Sequence, residues 1–182
     1  VNTGGNHADL NEDYASVPAE MKAVAKELGV SVLRETTEDA VLANVRTLRE
    51  KVGDRAIMRA LHFFNENRRV AAQVEALRAG DIEAFKAGVT ASGNSSFKYL
   101  QNVYTIKNVA EQGLSLALCL TEDFLAGTGA VSRVHGGGFA GTIQAFVPVD
   151  KTAEYAAKMD AVFGEHACHI LSVRPSGAYR IL

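Results

Sequence analysis

SRVHGGGFAGTIQAFV, residues 132–147, places three consecutive glycines between two runs of strand-forming residues. Valine, isoleucine, threonine and phenylalanine are typical of strands, and a hairpin connection often contains glycine. Glycine has no Cβ, so it adopts positive φ values and lets another group come close to the main chain. The stretch predicts a hairpin with strands over about 130–135 and 142–149, and a turn that a neighbouring group approaches closely.

The glycine run by itself leaves two interpretations open. One is a wide hairpin with a bulge, and the other is a turn whose outward N–H groups bind an anion. The run is not a dinucleotide fingerprint, because no helix opens immediately after it. It is not a phosphate-binding P-loop either, because no Lys-Ser or Lys-Thr pair follows it.

Apolar periodicity and breaker residues predict that most of the remaining chain is helical. Helices are expected over about 18–28, 37–52, 54–79, 81–91, 108–126 and 151–163. Pro18 is expected in the first turn of its helix, where its missing N–H is not needed. A first strand is expected within residues 1–17 and another up to Val173, followed by a Pro-Ser-Gly turn and a further short strand.

Without the helices between about 18 and 100, the order of elements is β-α-β-β-α-β, the order of a ferredoxin-like domain. We therefore expect an α+β fold: a ferredoxin-like antiparallel sheet with two packing helices and a helical insertion after the first strand. The core would comprise residues 1–17 and about 105–182, and the insertion would comprise about 18–100.

The composition excludes several classes of protein. The 182 residues carry a net charge of −2, with 47% hydrophobic and 22% charged residues, as is usual for a soluble globular domain. There is no basic excess that would indicate nucleic-acid binding, and no apolar run or signal sequence that would indicate a membrane. Cys119 and Cys168 are expected to be buried, reduced thiols of a cytoplasmic protein.

A longer stretch around the hairpin, GAVSRVHGGGFAGTIQAFV, resembles the third, C-terminal motif of the GHMP small-molecule kinases in its galactokinase form. The matching residues are Arg133, Gly136, Gly137, Gly138, Phe139 and Gly141. Two positions depart from the motif. His135 stands where threonine or serine is usual, and Ala140 stands where glycine is usual.

Two more segments resemble galactokinases, in the same order along the chain. The segment from His62 to Tyr104 is similar to a helical region of the family, with matches at His62, Glu66, Asn67, Arg69, Leu77, Gly80, Asp81, Ser92 and Ser95 or Ser96. At the front, His7 and Tyr14 match a strand exit of the family. The family's asparagine and arginine pair are replaced there by Ala15 and by the residues up to Pro18.

The resemblance implies the C-terminal lobe of a two-lobed, galactokinase-like sugar kinase. Such enzymes transfer the γ-phosphoryl group of ATP to a sugar hydroxyl, and galactose becomes galactose 1-phosphate. The phosphate loop, the sugar motif and the catalytic aspartate belong to the N-terminal lobe, so we expect no catalytic residue here. Mg²⁺ and ATP would be bound mainly by that missing lobe. The start at Val1 suggests a longer polypeptide, and the fragment alone is expected to be inactive.

The resemblance also implies which residues face the substrate. Gly136, Gly137, Gly138 and Phe139 are expected to line the cleft beside the sugar and the transferred phosphoryl group. Tyr14 is expected to contact the sugar, because a phenol bonds hydroxyls and its ring covers sugar C–H groups. His135 would donate to phosphate or sugar, or would be a strand residue whose imidazole is satisfied by its neighbours.

Other polar residues have simpler interpretations. His62 and Glu66 lie four apart on a helix but have no third ligand at a suitable spacing, so we expect a helix-surface hydrogen bond or ion pair and no metal site. His166 and His169 lack further ligands in the same way. The serines from Ser92 to Ser96 lack the context of a phosphate loop and are expected in an ordinary loop.

Three alternatives to a galactokinase remain open at this point. The parent protein could be a non-catalytic, sugar-sensing relative, and Ala140 would fit a relaxed catalytic demand. It could be a kinase of another sugar. The chain could also be an independent ferredoxin-like module that dimerises. A lobe without its partner would expose an apolar surface or associate with itself.

Overall fold

The computed structural model describes residues 1–5, 9–174 and 176–177. Within this part, the α-helices are α1 (Asn11–Glu27), α2 (Glu38–Ala43), α3 (Val45–Val52), α4 (Asp54–Arg78), α5 (Ile82–Ser95), α6 (Gly113–Phe124) and α7 (Thr152–Phe163). Short 3₁₀ turns form at Leu33–Glu35 and Val149–Lys151, and a π-helical turn, Ser96–Leu100, follows α5. The strands are β1 (Val131–His135) and β2 (Thr142–Phe146).

The predicted hairpin is confirmed. The strands β1 and β2 pair antiparallel, with Val131 opposite Phe146 and His135 opposite Thr142. The first residues lie along the other edge of β2: Ile143 N donates to Val1 O at 3.0 Å, and Asn2 forms an isolated bridge with Thr142. The α+β class and the antiparallel sheet are therefore confirmed, with an N-terminal segment added to the hairpin.

The strand expected up to Val173 does not form in the described part of the chain. Asn2 N donates to Ala167 O at 2.8 Å, but the chain then leaves the sheet. Ile170, Leu171 and Val173 are 68%, 87% and 94% exposed, so no neighbouring strand or helix covers their side chains. Pro175 and the further strand expected at 178–182 lie outside the described residues.

Two larger cores stabilise the described part of the chain. The first joins α1 through α4 and is built by Val24, Ala25, Leu33, Val41, Leu48, Ala56, Ile57 and Ala60. The second joins the hairpin to α6 and α7, the two packing helices that were predicted, and is built by Val103, Leu114, Ala117, Leu125, Val134, Ile143, Tyr155 and Met159. Burial of such apolar side chains is the main favourable term in folding.

The helix α5 packs on the hairpin as well as on α4. A side chain at Gly93 would come within 3.1 Å of Ser132 O and of the Arg133 Cβ, so this glycine allows the helix to lie directly against β1. The rings of Phe85 and Phe146 meet edge to face at 5.3 Å. The glycine hairpin is therefore held by helices from both halves of the sequence.

The start of α1 differs from the prediction. The helix begins at Asn11, and Pro18 lies inside it rather than in its first turn. An interior proline costs one backbone hydrogen bond and a steric clash. Packing outweighs this cost, because Tyr14 and Val17 contact a small buried cluster before the proline, while Val24 and Ala25 belong to the first core after it.

The helix expected over 37–52 is divided into α2 and α3 at Asn44. Thr37 caps its start as predicted, accepting from Ala40 N at 3.2 Å. The Asn44 side chain donates to Ala40 O at 2.9 Å and so competes with the helical backbone pattern. The first helix of the second core also differs, since α6 begins at Gly113 and not near residue 108.

Two further expectations are corrected. Residues 92–96, expected in a loop, continue α5 and enter the π-helical turn, and Ser92, Ser95 and Ser96 are buried. Both cysteines are free, but Cys119 is exposed and Cys168 half-buried. Cys119 lies on the side of α6 opposite the buried Leu114 and Ala117. No helix in the described residues is long and apolar enough to cross a membrane.

Candidate functional site

The glycine turn, residues 136–139, is closely approached by two neighbouring groups. A Cβ on Gly137 would lie 2.7 Å from Cε1 of Tyr14. A Cβ on Gly138 would overlap the main-chain oxygen of Asn102 and lie 2.7 Å from its Nδ2. Gly136 and Gly138 have φ values of 76° and 84°, which favour glycine. The turn therefore requires glycine for its contacts within the protein.

Tyr14 and the glycine turn, predicted separately to face the substrate, are in direct contact. The Tyr14 hydroxyl donates to Gly138 O at 2.7 Å, and its ring meets Phe139 edge to face at 5.4 Å. Burial raises the pKa of the Tyr14 phenol. Phe139 is itself buried, with Leu10 and Ala140. The structure thus places Tyr14 against the turn, although Tyr14 and Gly138 are 124 positions apart in the sequence.

The open side of the turn is formed by His135, Gly136 and Gly137, all of which are exposed. Among the described residues, no hydrogen bond is formed by the His135 imidazole or by the N–H groups of Gly136 and Gly137. A ligand that approached this side would meet main-chain donors and one imidazole. His7, the other match at the front of the chain, lies outside the described residues.

Asn102 is a contact of the turn that the sequence did not indicate. Its main-chain oxygen accepts from Phe139 N at 2.5 Å, and its Nδ2 donates to Gly137 O at 3.1 Å. Only 3% of the residue is exposed. An isolated asparagine in an irregular segment gives no signal in the sequence. The glycine run indicated that some group lies close to the turn, but not that this group is Asn102.

A buried polar network connects α4, α5 and β1 behind the hairpin. Ser92 Oγ donates to Glu66 Oε2 at 2.6 Å and accepts from Arg133 Nη1 at 2.6 Å, while Glu66 also pairs with Arg69. His62 Nδ1 and Ser95 Oγ are 2.8 Å apart. All six side chains were matched to the family pattern, but His62 and Glu66 were expected at a helix surface. The expectation of a surface pair is wrong, because α5 and β1 cover this face of α4.

The network keeps His62 neutral. Burial, together with the positive charges of Arg69 and Arg133, lowers the pKa of His62 to about 4. A neutral imidazole and paired charges suit a structural connection between hairpin and helices. In the described part of the chain, no group of three His, Cys, Asp or Glu side chains could hold a metal ion.

We expect the free energy of unfolding to fall as the pH decreases from 6.5 to 4. In that window His62 of the unfolded chain, with a pKa near 6.5, takes up a proton. His62 of the folded chain stays neutral down to about pH 4. The proton therefore favours the unfolded state, and the loss reaches about 3 kcal/mol. Urea unfolding at a series of pH values measures it.

The variant His62→Asn should flatten this part of the pH profile, because it removes the titrating group. His169→Asn is the matched control, since His169 is exposed. A profile for His62→Asn as steep as that of the parent chain would show that His62 does not cause the loss.

Comparison with known proteins finds similarity to galactokinases but to no family model. No family model matches the chain. It is 29% identical over 151 residues to a galactokinase of Actinobacillus pleuropneumoniae, covering 83% of the chain and 37% of the relative. It is 29% identical over 158 residues to a galactokinase of Mycobacterium tuberculosis, covering 86% of the chain and 39% of the relative.

The fold agrees with these sequence matches. The structure of Lactococcus lactis galactokinase complexed with galactose matches 89% of the chain and 40% of that protein, with a TM-score of 0.68 and 24% sequence identity. The chain spans less than half the length of the curated relatives it matches. The predicted resemblance is confirmed, and the chain is galactokinase-like in sequence and in fold, corresponding to a part of those enzymes.

Proposed function

We propose that this chain is the C-terminal part of a galactokinase-like sugar kinase, and that Tyr14 and the glycine turn line its sugar site. The observation that carries the proposal is the 2.7 Å hydrogen bond from the Tyr14 hydroxyl to Gly138 O, beside the exposed Gly136 and Gly137, whose N–H groups form no hydrogen bond among the described residues. Two segments that resemble galactokinases far apart in sequence thereby form one surface. Ordered main-chain donors of this kind suit a hydroxylated or phosphorylated ligand.

The proposed reaction is transfer of the γ-phosphoryl group of ATP to the C1 hydroxyl of galactose. Such a transfer depends on alignment of the hydroxyl with the phosphorus and on compensation of charge at the phosphoryl oxygens. The N–H groups of Gly136 and Gly137 would donate to these oxygens or to the sugar. His135, at the exposed end of β1, would donate to the same ligand.

The proposed site has a second half, because the resemblance to galactokinases implies that ATP and Mg²⁺ are bound mainly by an N-terminal lobe. No residue of this chain is assigned to catalysis. The residues assigned here bind and orient the sugar.

A sugar-sensing relative would use the same binding surface without transferring phosphate. The replacement of glycine by Ala140 does not favour this alternative, because packing explains it. Ala140 is buried with Leu10 and Phe139, and its Cβ lies against Gly5, where an added Cβ would be only 2.9 Å away. Formation of a sugar phosphate by a protein that contains the chain would distinguish a kinase from a sensor.

Titration of the ¹⁵N-labelled chain with galactose tests the proposed sugar surface. We expect amide shifts concentrated at His135, Gly136 and Gly137. Tyr14→Phe should weaken binding about threefold to tenfold, because the turn loses the hydrogen bond to Gly138 O that orders it.

Tyr99→Phe is the control for this titration, because Tyr99 is 47% exposed and does not touch the turn. If galactose shifts amides elsewhere and leaves the turn unchanged, the assignment of the turn to the sugar site is wrong. In a longer protein with kinase activity, Tyr14→Phe should raise the sugar KM much more than the ATP KM.

A further inference from the structure

We infer that Asn102 is a positioning residue, whose side chain and main chain together fix the conformation of the glycine turn. That the turn binds sugar rests on the proposed function, whereas the fixing of the turn by Asn102 does not. The inference is carried by three observations: the contacts of Asn102 on the turn, the anchoring of its own segment, and its unpaired side-chain oxygen.

The contacts of Asn102 fall on both sides of Gly138. Its Nδ2 holds the carbonyl of Gly137, and its main-chain oxygen holds the amide of Phe139. The carbonyl of Gly138 itself is bound by the Tyr14 hydroxyl. The carbonyls of Gly137 and Gly138 and the amide of Phe139 are thus all bound within the protein. The exposed Gly136 and Gly137 belong to the turn that these contacts hold, and their N–H groups form no hydrogen bond among the described residues, so they are available as preorganised donors.

The segment that carries Asn102 is anchored by a buried arginine. Arg59, which is 1% exposed, donates from Nε to Leu100 O at 2.9 Å. The same guanidinium donates to Ser16 Oγ at 2.9 Å and pairs with Glu20 at 2.9 Å, both on α1. Tyr14 lies on this helix too. Arg59 therefore fixes the two groups that hold the turn, Tyr14 and Asn102, relative to one another.

The side-chain oxygen of Asn102 argues for a role beyond stability. Oδ1 is buried and has no hydrogen-bond partner among the described residues. A buried acceptor without a partner destabilises the folded state, and an apolar side chain of similar shape would avoid this cost. The Oδ1 atom of Asn102 therefore destabilises the folded state, whereas the Nδ2 atom of the same side chain binds the carbonyl of Gly137.

Amide hydrogen exchange on the 182-residue chain tests the inference. Asn102→Leu removes both the donor to Gly137 O and the unpaired oxygen, so we expect little change in Tm. The amides of Gly138, Phe139 and Ala140 should nevertheless exchange at least fivefold faster, because the turn is no longer held on both sides. The galactose-induced shifts at Gly136 and Gly137 should decrease in the same variant.

Asn94→Leu is the matched control, because Asn94 is an exposed asparagine on α5. Asn102→Ala serves if the leucine does not fit, and it should accelerate exchange at the turn beyond any general change in the protein. Unchanged exchange at the turn in both Asn102 variants, or acceleration spread evenly over all amides, would overturn the inference. If the turn loosens but the parent chain shows no galactose shifts, the positioning role stands and the proposed function fails.

Discussion

Alanine in place of Gly138 is expected to lower the free energy of unfolding by about 4 kcal/mol. The residue has a φ of 84°, a left-handed conformation that is unfavourable for alanine. The added methyl group would also overlap the main-chain oxygen of Asn102 and lie 2.9 Å from its carbonyl carbon. Because these atoms belong to a backbone that Arg59 anchors, they cannot move aside as a flexible side chain would.

Urea unfolding followed by far-ultraviolet circular dichroism measures this loss. Gly136→Ala is the matched control: its φ of 76° gives a similar conformational cost, but no described atom lies within 4 Å of the added methyl group. We expect this control to lose only about 1 kcal/mol. Equal losses for the two variants would mean that close packing on Asn102 contributes nothing.

Arg59→Ala is expected to lower the free energy of unfolding by about 3 to 5 kcal/mol, an effect similar to that of Gly138→Ala. The guanidinium is almost fully buried and bonds Leu100 O, Ser16 Oγ and Glu20. Its removal leaves a cavity between α1 and α4 and the partly buried carbonyl of Leu100 without its donor. The contact of α1 with the segment before Asn102 is lost at the same time.

The neighbouring Arg55→Ala is the control for the Arg59 variant. Arg55 pairs with the same Glu20 from the same helix, but 44% of its side chain is exposed, so solvent competes with the pair. We expect a loss of no more than about 1 kcal/mol for Arg55→Ala. Urea unfolding of both variants under one set of conditions gives the comparison, and similar losses would contradict the role given to the burial of Arg59.

The hairpin and most helices could be predicted from local signals. Three adjacent glycines between β-branched runs indicate a tight connection in almost any context, and the strand bounds agree within a few residues. Gly53 and Gly80 separate α3, α4 and α5 close to the expected positions. The resemblance to galactokinases added Tyr14, which no periodicity would have selected.

The errors occurred where packing between distant segments decides the structure. Pro18 locally favours a helix start, but contacts at both ends of α1 maintain the helix through it. Ser92 and Ser95 look like loop residues in isolation, yet their hydroxyls are satisfied by Glu66, Arg133 and His62. Asn102 was missed because its contacts are with a turn that comes much later in the sequence.

The π-helical turn at Ser96–Leu100 makes the number of residues in this segment as important as their types. A π turn accommodates one residue more than an α turn. Deleting one residue there would convert the π turn into an α turn and leave the residues that follow in register, so Asn102 would still face Gly138. Deleting a second residue would rotate all that follows by about 100° around the axis and turn Asn102 away from Gly138. Variants with a different number of residues in this segment should therefore be compared by which side chain contacts the glycine turn. A sequence alignment that places the gap outside the π turn would pair residues that do not occupy the same position.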